Sequence, residues 1–382
     1  MRIQLFLVVL LMSALTSVCS GQNVPTVSAQ EGIVRIARSQ QARAAHTATR
    51  LHNGTVLVLG GMKKNGVFYD EAEVFDPVAN TFTNLPNKMT KKRVSHSATL
   101  LNDGRVLILG GWSNRTSPDD SAEFYDPKSR KFAPLENMRF KRSGHSATLL
   151  DDGKVLIAGG NEGARFLNEA ELFDPATNTF QTIGPMNGSH ARHSATKLED
   201  GRVLILGGEA SLNKTTADAE IYDPQTNKFR KLDAKMNADR YKHDAVLLTS
   251  GKVLLFGGSD EKDRDGKLKS AELFDPATET FTKTGDMNFA RFKIGETAVV
   301  LQNGKVLVAA GSDEAEVFDP ATNTFEKVSG GFGKSLHFAS VTLLEDGRAL
   351  ILGGYEFVTG GEPTSTDQAW IFQDTPLKDP AL

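Results

Sequence analysis

The sequence predicts an all-β protein built as a radial array of small sheets, and three observations support this fold class. A cassette of a tight turn, an apolar run and a closing glycine occurs seven times, at intervals of 43 to 53 residues. The apolar run, as at residues 203–206, has no polar alternation and therefore predicts a strand covered on both faces. Two spaced aromatic residues follow in each cassette, and a period near 50 with these features is typical of such arrays.

The turn and the closing glycine define the cassette. Asp200-Gly201 in the fourth copy predicts a two-residue hairpin loop of type I′, which needs positive φ at both central positions. The double glycine at the end of the apolar run allows another backbone to approach closely. The turn glycines are Gly54, Gly104, Gly153, Gly201, Gly251, Gly304 and Gly347, and the closing glycines are Gly61, Gly111, Gly160, Gly208, Gly258, Gly311 and Gly354.

The later part of each copy carries a family resemblance. A loop of variable length leads to Ala-Glu-x-aromatic-Asp-Pro and then to Asn-Thr-Phe or a close variant. In the third copy the matching residues are Gly159, Gly160, Phe173 and Phe180, after the apolar run at residues 155–157. This pattern resembles the kelch repeat over almost the whole chain after residue 20. The resemblance implies one four-stranded antiparallel blade per repeat, and hence a seven-bladed β-propeller.

The seventh blade is expected to be completed by the N-terminal segment. Its strand c fits residues 369–372, but no strand d follows, whereas Ile33 lies 13 residues before His46, as the aromatic of strand d does in full copies. Residues 32–38 are therefore predicted to be the outer strand that closes the ring. Within residues 21–382 the blades are expected at 46–86, 96–136, 145–184, 193–233, 243–285, 296–328 and 337–374 plus 32–38.

Residues 1–20 predict a cleaved secretory signal peptide. Arg2 precedes an apolar run at residues 5–15, and small residues suitable for cleavage end at Ser20. The protein is therefore expected to be secreted or periplasmic. A lipid anchor on Cys19 is disfavoured because Val18 precedes it, and without Cys19 the mature chain has no cysteine for a disulfide.

Topology separates a uniform face from a variable one. An antiparallel meander places the a–b and c–d links on one face of the disc, and the b–c and d–a links on the other. The b–c loops differ widely, so this second face, here called the variable face, is the expected binding surface. A net charge of -3, from 44 Lys plus Arg and 47 Asp plus Glu, argues against a nucleic-acid partner.

Histidines at the start of strand a and glutamates in strand c are predicted to be structural. Because they recur in nearly every copy, fastening between blades is more typical of them than metal binding, and His145 is expected to bond Glu220 of the next blade. Glu296 replaces the histidine in copy six, after Lys293, and Trp370 replaces the glutamate in copy seven. The predicted structural residues are His46, His96, His145, His193, His243 and His337 with Glu73, Glu123, Glu171, Glu220, Glu272 and Glu316.

Two candidate sites lie in the loops of the variable face. Cationic and aromatic residues together suit an acidic sugar, although scattered residues on a soluble rim would show the same composition. The candidate ligand-binding residues are Lys63, Tyr69, Arg93, Trp112, Arg115, Arg142, Arg165 and Tyr355. Glu261, Asp263 and Asp265 resemble part of a calcium loop, but the leading Glu and the lack of flanking helices favour a solvated charged loop. No other cofactor is predicted.

The function expected from the sequence is that of an exported binding module for an acidic glycan or a protein partner. The sequence has no Gly-x-Ser-x-Gly, His-Glu-x-x-His or phosphate-loop motif, and no membrane span is predicted. The alternative is a carbohydrate-active enzyme resembling sialic-acid epimerases, which are exported kelch propellers. Galactose oxidases also share this propeller, but their copper site depends on a cysteine cross-linked to a tyrosine, and the only cysteine here is Cys19.

Overall fold

Seven four-stranded antiparallel sheets form a closed ring in the computed structural model, which describes residues 32–63, 66–260, 268–295, 297–356 and 364–374. The inner strand of each sheet contacts the inner strand of the next, and that of the first sheet contacts that of the seventh. The all-β seven-bladed propeller predicted from the repeats is therefore confirmed. The predicted signal peptide lies outside the described residues.

The strands of each blade are named a to d from the axis outward. Strands a are Thr47–Arg50, Ser97–Leu100, Ser146–Leu149, Ser194–Lys197, Asp244–Leu247, Ala298–Val300 and Ser340–Leu343. Strands b are Val56–Leu59, Val106–Leu109, Val155–Ala158, Val203–Leu206, Val253–Phe256, Val306–Val308 and Ala349–Leu352. Strands c are Ala72–Asp76, Ala122–Asp126, Ala170–Asp174, Ala219–Asp223, Ala271–Asp275, Glu316–Asp319 and Ala369–Gln373. Strands d are Thr81–Asn84, Lys131–Pro134, Thr179–Ile183, Lys228–Lys231, Thr280–Lys283, Thr324–Lys327 and, for the seventh blade, Gly32–Arg35.

Short hairpins extend four of the b–c loops. They are Met62–Lys63 with Val67–Phe68, Asn161–Glu162 with Arg165–Phe166, Glu209–Ser211 with Lys214–Thr215, and Tyr355–Glu356 with Thr364–Ser365. No helix in the described part of the chain is long and apolar enough to cross a membrane.

The hydrophobic core lies between the blades. Leu57 and Leu59 of the first strand b pack with Val106 of the second blade, whereas Val58 of the same strand packs with Leu352 of the seventh. Every residue of the strands b is buried. Alternate side chains of one strand therefore fill two different interfaces, which explains why these strands show no polar alternation.

The a–b turns differ from the predicted type I′ loop. Gly104 has φ of 89° and its amide donates to the carbonyl of Leu101 at 3.0 Å, whereas Asp103 is not among the residues of positive φ. The Asp103 carboxylate instead accepts a hydrogen bond from the amide of Arg105 at 2.9 Å. Only the glycine needs the left-handed region, because the acidic side chain stabilises the turn by capping a backbone amide two residues on.

The double glycine lets the next d–a link cross the end of strand b. A Cβ on Gly60 would lie 2.5 Å from the carbonyl oxygen of Arg93, and the amide of Gly61 donates to the same oxygen at 2.8 Å. In the sixth blade Ala310 takes the first of these positions with φ of 78°, a conformation that is strained for a residue with a side chain.

The two ends of the described chain lie in one sheet. Gly32–Arg35 pairs antiparallel with Ala369–Gln373, with Ile33 opposite Phe372. Ile33 also packs in the cluster that contains Trp370. The strand from the N-terminal segment thus covers the hydrogen-bonding edge of the last strand c.

Deletion of residues 32–39 should expose that edge and cause aggregation or a loss of cooperative unfolding, because an unpaired strand is a template for association. Thermal melting by circular dichroism with size-exclusion chromatography would measure this. Deletion of residues 21–31 is the control, since it leaves the strand in place. A chain without residues 32–39 that stays monomeric and melts like the control would contradict the expectation.

Candidate functional site

The d–a links and the b–c loops lie on the same face of the disc. A backbone bridge joins the two in six blades, for example between Val94 and Trp112 in the second blade and between Tyr241 and Ser259 in the fifth. These bridges place the residue after the closing glycine beside the residue that leads into strand a of the same blade.

Buried ion pairs hold the d–a links to their blades. An arginine four residues before strand a, or seven in the sixth blade, pairs with the glutamate of strand c in the same repeat. In the third blade Arg142 and Glu171 are both fully buried and lie 2.9 Å apart. Arg142 also donates to the carbonyl of Gly159 at 2.8 Å, and Glu171 accepts the amide of Arg139 at 2.7 Å. The equivalent pairs are Arg43–Glu73, Arg93–Glu123, Arg240–Glu272 and Arg291–Glu316.

This arrangement corrects two sequence predictions. The glutamates pair with these arginines and not with the histidines of a neighbouring blade, so the expected bond between His145 and Glu220 is not formed. Arg93 and Arg142 are not available to a ligand, because both are fully buried in ion pairs. The missed signal is the spacing of about 30 residues between each arginine and the glutamate that it binds.

Two blades replace the ion pair. In the fourth, His190 substitutes for the arginine, with Nε2 3.2 Å from Glu220 and Nδ1 2.6 Å from the carbonyl oxygen of Gly207. In the seventh, Leu336 and Trp370 occupy the two positions and pack in one apolar cluster. Both charges are thus absent together, which avoids an unpaired charge in the interior.

The histidines connect blades through hydroxyl groups. His145 Nε2 lies 2.9 Å from Ser97 Oγ of the preceding blade, and His46 Nε2 lies 2.9 Å from Ser340 Oγ, across the junction of the first and seventh blades. The other members are His96 with Thr47, His193 with Ser146 and His243 with Ser194. Each of these five histidines therefore bonds a hydroxyl group of the preceding blade and not a glutamate.

Copies six and seven depart from this pattern. Asp244 of the fifth blade accepts the amides of Thr297 and Ala298 at 2.7 and 3.0 Å, which links it to the sixth blade without a histidine. Glu296 lies outside the described residues. Ile294, not Glu296, occupies the histidine position of the sixth blade, and that blade's arginine is Arg291, not Lys293. His337 does not occupy the histidine position of the seventh blade. It forms a backbone bridge with Tyr355, and Ala339 occupies the histidine position.

The five histidines that bond hydroxyl groups of the preceding blade are neutral in the folded protein near pH 7. Burial lowers the pKa of His46 and His193 to about 3, with nearby cationic side chains adding to the shift. Burial also holds the pKa of His96, His145 and His243 well below the usual range. A protonated imidazole would lose its hydration there without gaining a carboxylate.

The residue before each histidine position forms a second ring, here called the collar. Its members are Ala45, Ser95, Gly144, Arg192, Lys242, Lys293 and Phe338, and all have φ between 52° and 59°. Backbone hydrogen bonds join neighbouring members, as from Ser95 to Ala45 at 3.0 Å and from Lys242 to Arg192 at 2.9 Å. The collar residues have small side chains or none in blades one to three, and cationic side chains in blades four to six.

A cavity of about 500 Å³ lies within the ring, lined by all the collar residues except Lys293 and by the five histidines, with Trp112 also contributing. Sequence reasoning missed this site. The available signal was the change from small to cationic residues immediately before the histidines, at Gly144, Arg192 and Lys242.

Two collar lysines share an aromatic wall. Lys242 Nζ lies 5.1 Å from the ring centroid of Phe292 and 6.0 Å from that of Phe338, and the corresponding distances from Lys293 Nζ are 5.2 and 5.5 Å. Lys293 also donates to the hydroxyl of Tyr355 at 2.6 Å. Burial lowers the pKa of Lys242 to about 7, with Arg192 and Lys293 adding to the shift, and lowers the pKa of Lys293 to about 8.

The remaining predicted ligand residues are not brought into one cluster. Lys63, Arg115 and Arg165 are exposed. Arg165 pairs with Glu162 at 3.6 Å and with Glu169. Tyr69 and Tyr355 are largely buried, and Trp112 is half-buried beside the cavity.

The predicted calcium loop, with Glu261, Asp263 and Asp265, lies outside the described residues. Across the described ranges, no group of three or more His, Cys, Asp or Glu residues is placed to hold a metal ion.

Comparison with known proteins agrees with this architecture. A family model described as the KLHDC2/KLHL20/DRC7 Kelch-repeats domain matches residues 33–208, and a Kelch motif model matches residues 200–234. No curated protein matches the sequence. The solved structure of a fungal alcohol oxidase of the AA5 family, in complex with copper, is similar with a TM-score of 0.69 and 18% identity. It covers 92% of this chain and 79% of that chain, and at this identity the likeness shows the fold alone.

Replacing Arg240 by Met should destabilise the protein by about 3–5 kcal/mol, because Glu272 would keep a buried charge without its counter-ion. The double variant Arg240→Leu with Glu272→Trp copies the seventh blade and should recover much of this loss. Arg230→Met, which breaks an exposed pair with Glu279, is the control and should cost at most about 1 kcal/mol. Urea unfolding measures all three. Equal losses for the buried and exposed pairs would contradict the expectation.

Acid should lower the stability of the fold over a pH range that is set by the folded and unfolded pKa values of the five histidines. Their folded pKa lies below the unfolded value of about 6.5, so the unfolded chain binds more protons as the pH falls from there toward 3. Each histidine should lower the unfolding free energy by up to about 1.4 kcal/mol per pH unit.

Urea unfolding between pH 7 and pH 5, where carboxylates remain ionised, would measure this slope. His145→Asn should reduce it, whereas His52→Gln, at an exposed position, should not. A slope that does not change in His145→Asn would show that this imidazole is protonated in the folded state.

Proposed function

Since the chain belongs to the kelch-repeat β-propeller family, we propose that it is an exported module that binds a partner protein through the variable face, with an acidic group of the partner at the collar. Kelch propellers are interaction modules, which supports a protein partner. Export rests on the signal peptide predicted at residues 1–20.

The asymmetric collar is the observation that carries this proposal. Blades one to three contribute only Ala45, Ser95 and Gly144 to the collar, which leaves room at the cavity entrance. The opposite arc of the collar carries Lys242, which lines the cavity, and Lys293, which lies beside it. An acidic side chain entering from the open side would meet cations in a half-buried site, where water screens charges less than on the surface.

Exposed cationic side chains on the loops extend the positive electrostatic potential of the collar outward. Lys63, Lys92, Arg115 and Arg139 are exposed on the loops of the first three blades. Groups of this kind accelerate the encounter with an acidic partner more than they strengthen the final complex. The indole of Trp112, half-buried beside the cavity, supplies contact area that salt does not screen.

An acidic peptide should bind the mature protein more tightly than its amidated neutral counterpart, and added salt should weaken the binding. Lys293→Gln combined with Trp112→Ala should reduce the affinity on the order of tenfold or more, because truncating one partner of a half-buried charge pair is costly. Affinity should also fall between pH 7 and pH 9, since a lysine is charged only below its pKa, which is about 7 for Lys242 and about 8 for Lys293.

Isothermal titration calorimetry at two salt concentrations would test this. Lys154→Gln is the matched control, because it removes one positive charge on the opposite face, where Lys154 pairs with Asp152. Equal binding of both peptides, or an equal effect of Lys154→Gln and of the double variant at Lys293 and Trp112, would reject the proposal. Binding of an acidic oligosaccharide but of no acidic peptide would assign the collar to a glycan.

A further inference from the structure

The surroundings of the collar lysines are those of a nucleophilic amine. Lys242 Nζ faces three aromatic rings, of which Tyr241 is the nearest, with its centroid at 4.9 Å. Within the described part of the chain Lys242 forms no ion pair. We propose that Lys242 is a carbonyl-reactive amine that captures a small aldehyde bearing a carboxylate, as a covalent imine within the axial cavity.

The charged groups around Lys242 come from two neighbouring blades. Arg192 and Glu209 of the fourth blade pair with each other, so Glu209 offsets part of the effect of Arg192 on the pKa of Lys242. Lys293 of the sixth blade shares the rings of Phe292 and Phe338 with Lys242, and it is fixed by its bond to Tyr355 of the seventh. Lys242 therefore has a cation and aromatic surfaces as its main neighbours, and both burial and the like charge favour its neutral form.

The neutral amine is the form that attacks carbonyl groups. With a pKa of about 7, roughly half of Lys242 is neutral at pH 7. For an exposed lysine with a pKa of about 10.4 the neutral fraction at the same pH is on the order of one in a thousand. The ring faces offset part of the burial penalty on the charged form, so both forms are accessible to this side chain near neutral pH.

The cavity has space for a small reactant next to Lys242. Its volume of about 500 Å³ lies within the range of pockets that bind small molecules. The small collar residues Ala45, Ser95 and Gly144 line the same cavity and occupy little of it. Lys293 is bonded to Tyr355 and does not line the cavity, but its ammonium charge, across the ring of Phe292 from Lys242, attracts the carboxylate of the aldehyde toward Lys242.

The chemistry is balanced without an oxidant or a reductant. The Nζ lone pair attacks the carbonyl carbon, a C–N bond forms, and the carbonyl π electrons move to oxygen. A proton passes from nitrogen to that oxygen, which gives a carbinolamine. Loss of water then gives the imine, so that one amine and one aldehyde yield one imine and one water.

Glyoxylate is a suitable probe, because cyanoborohydride reduces its imine to a stable carboxymethyl amine. Peptide mapping by mass spectrometry after treatment of the mature protein would give the rate at each lysine. At pH 7 we expect Lys242 to be modified on the order of 10–100-fold faster than exposed Lys63 and half-buried Lys154, because burial favours its neutral form while its lower basicity makes the amine a weaker nucleophile. The rate at Lys242 should rise with pH with a midpoint near 7.

Variants and a second aldehyde separate the effect of the Lys293 charge from the reactivity of Lys242 itself. Lys293→Met should slow modification at pH 7 several-fold, because it removes the carboxylate-attracting cation and the like charge that favours the neutral amine. Reaction with propanal, which has no carboxylate, should be slowed less. Lys154→Arg is the matched control and should leave the rate at Lys242 unchanged.

Modification of Lys242 no faster than that of Lys63, or a midpoint near pH 10, would overturn the inference using the wild-type protein alone. The inference does not depend on the proposed function. If Lys242 reacts selectively but no acidic peptide binds, only the proposed function fails. If the peptide binds and Lys242 is unreactive, only this inference fails.

Discussion

The buried ion pair between the d–a link and strand c is the interaction on which the rest of the ring depends. Arg142 and Glu171 show its three components: a charge pair, a bond from the arginine to the carbonyl of Gly159, and a bond from the Arg139 amide to the glutamate. The link is thus fixed at both of its ends over a glycine that has no side chain to obstruct it. Packing between blades, which involves the apolar strands b, would not by itself fix the position of the d–a links.

Because the d–a links are fixed, the backbone of the collar residues is fixed as well. The side chains of these residues then determine the shape of the cavity entrance. Because each link enters strand a in the same way, the residue before the histidine position adopts positive φ in every blade, from Ala45 to Phe338. Its side chain is not constrained by the fold in the same way, so it can vary from glycine at Gly144 to lysine at Lys242. A regular scaffold therefore presents an irregular ring of side chains around one cavity.

Burial has different consequences for the three kinds of basic residue in this ring. Arg142 keeps its charge because guanidinium is strongly basic and has a carboxylate partner. His145 is half-buried without a carboxylate partner, its pKa is held well below the usual range, and it bonds a hydroxyl group in its neutral form. Lys242 lies between these cases, since burial and neighbouring cations bring its pKa to about 7. Both proposals use this intermediate state, one through the ammonium form and the other through the amine.

The fold class, the number of blades and the bounds of most strands could be predicted from the sequence, because the turn, the apolar run and the glycine pair are local patterns repeated seven times. Ile33, placed by spacing alone, lies in the outer strand of the last blade. The sequence could not assign partners: Glu220 bonds His190 of its own repeat, and His145 bonds a serine of the preceding blade. Nor could it show that Arg93 is buried while Lys242 faces a cavity. Those outcomes depend on which side chains from distant repeats meet around the axis, and only the closed ring decides that.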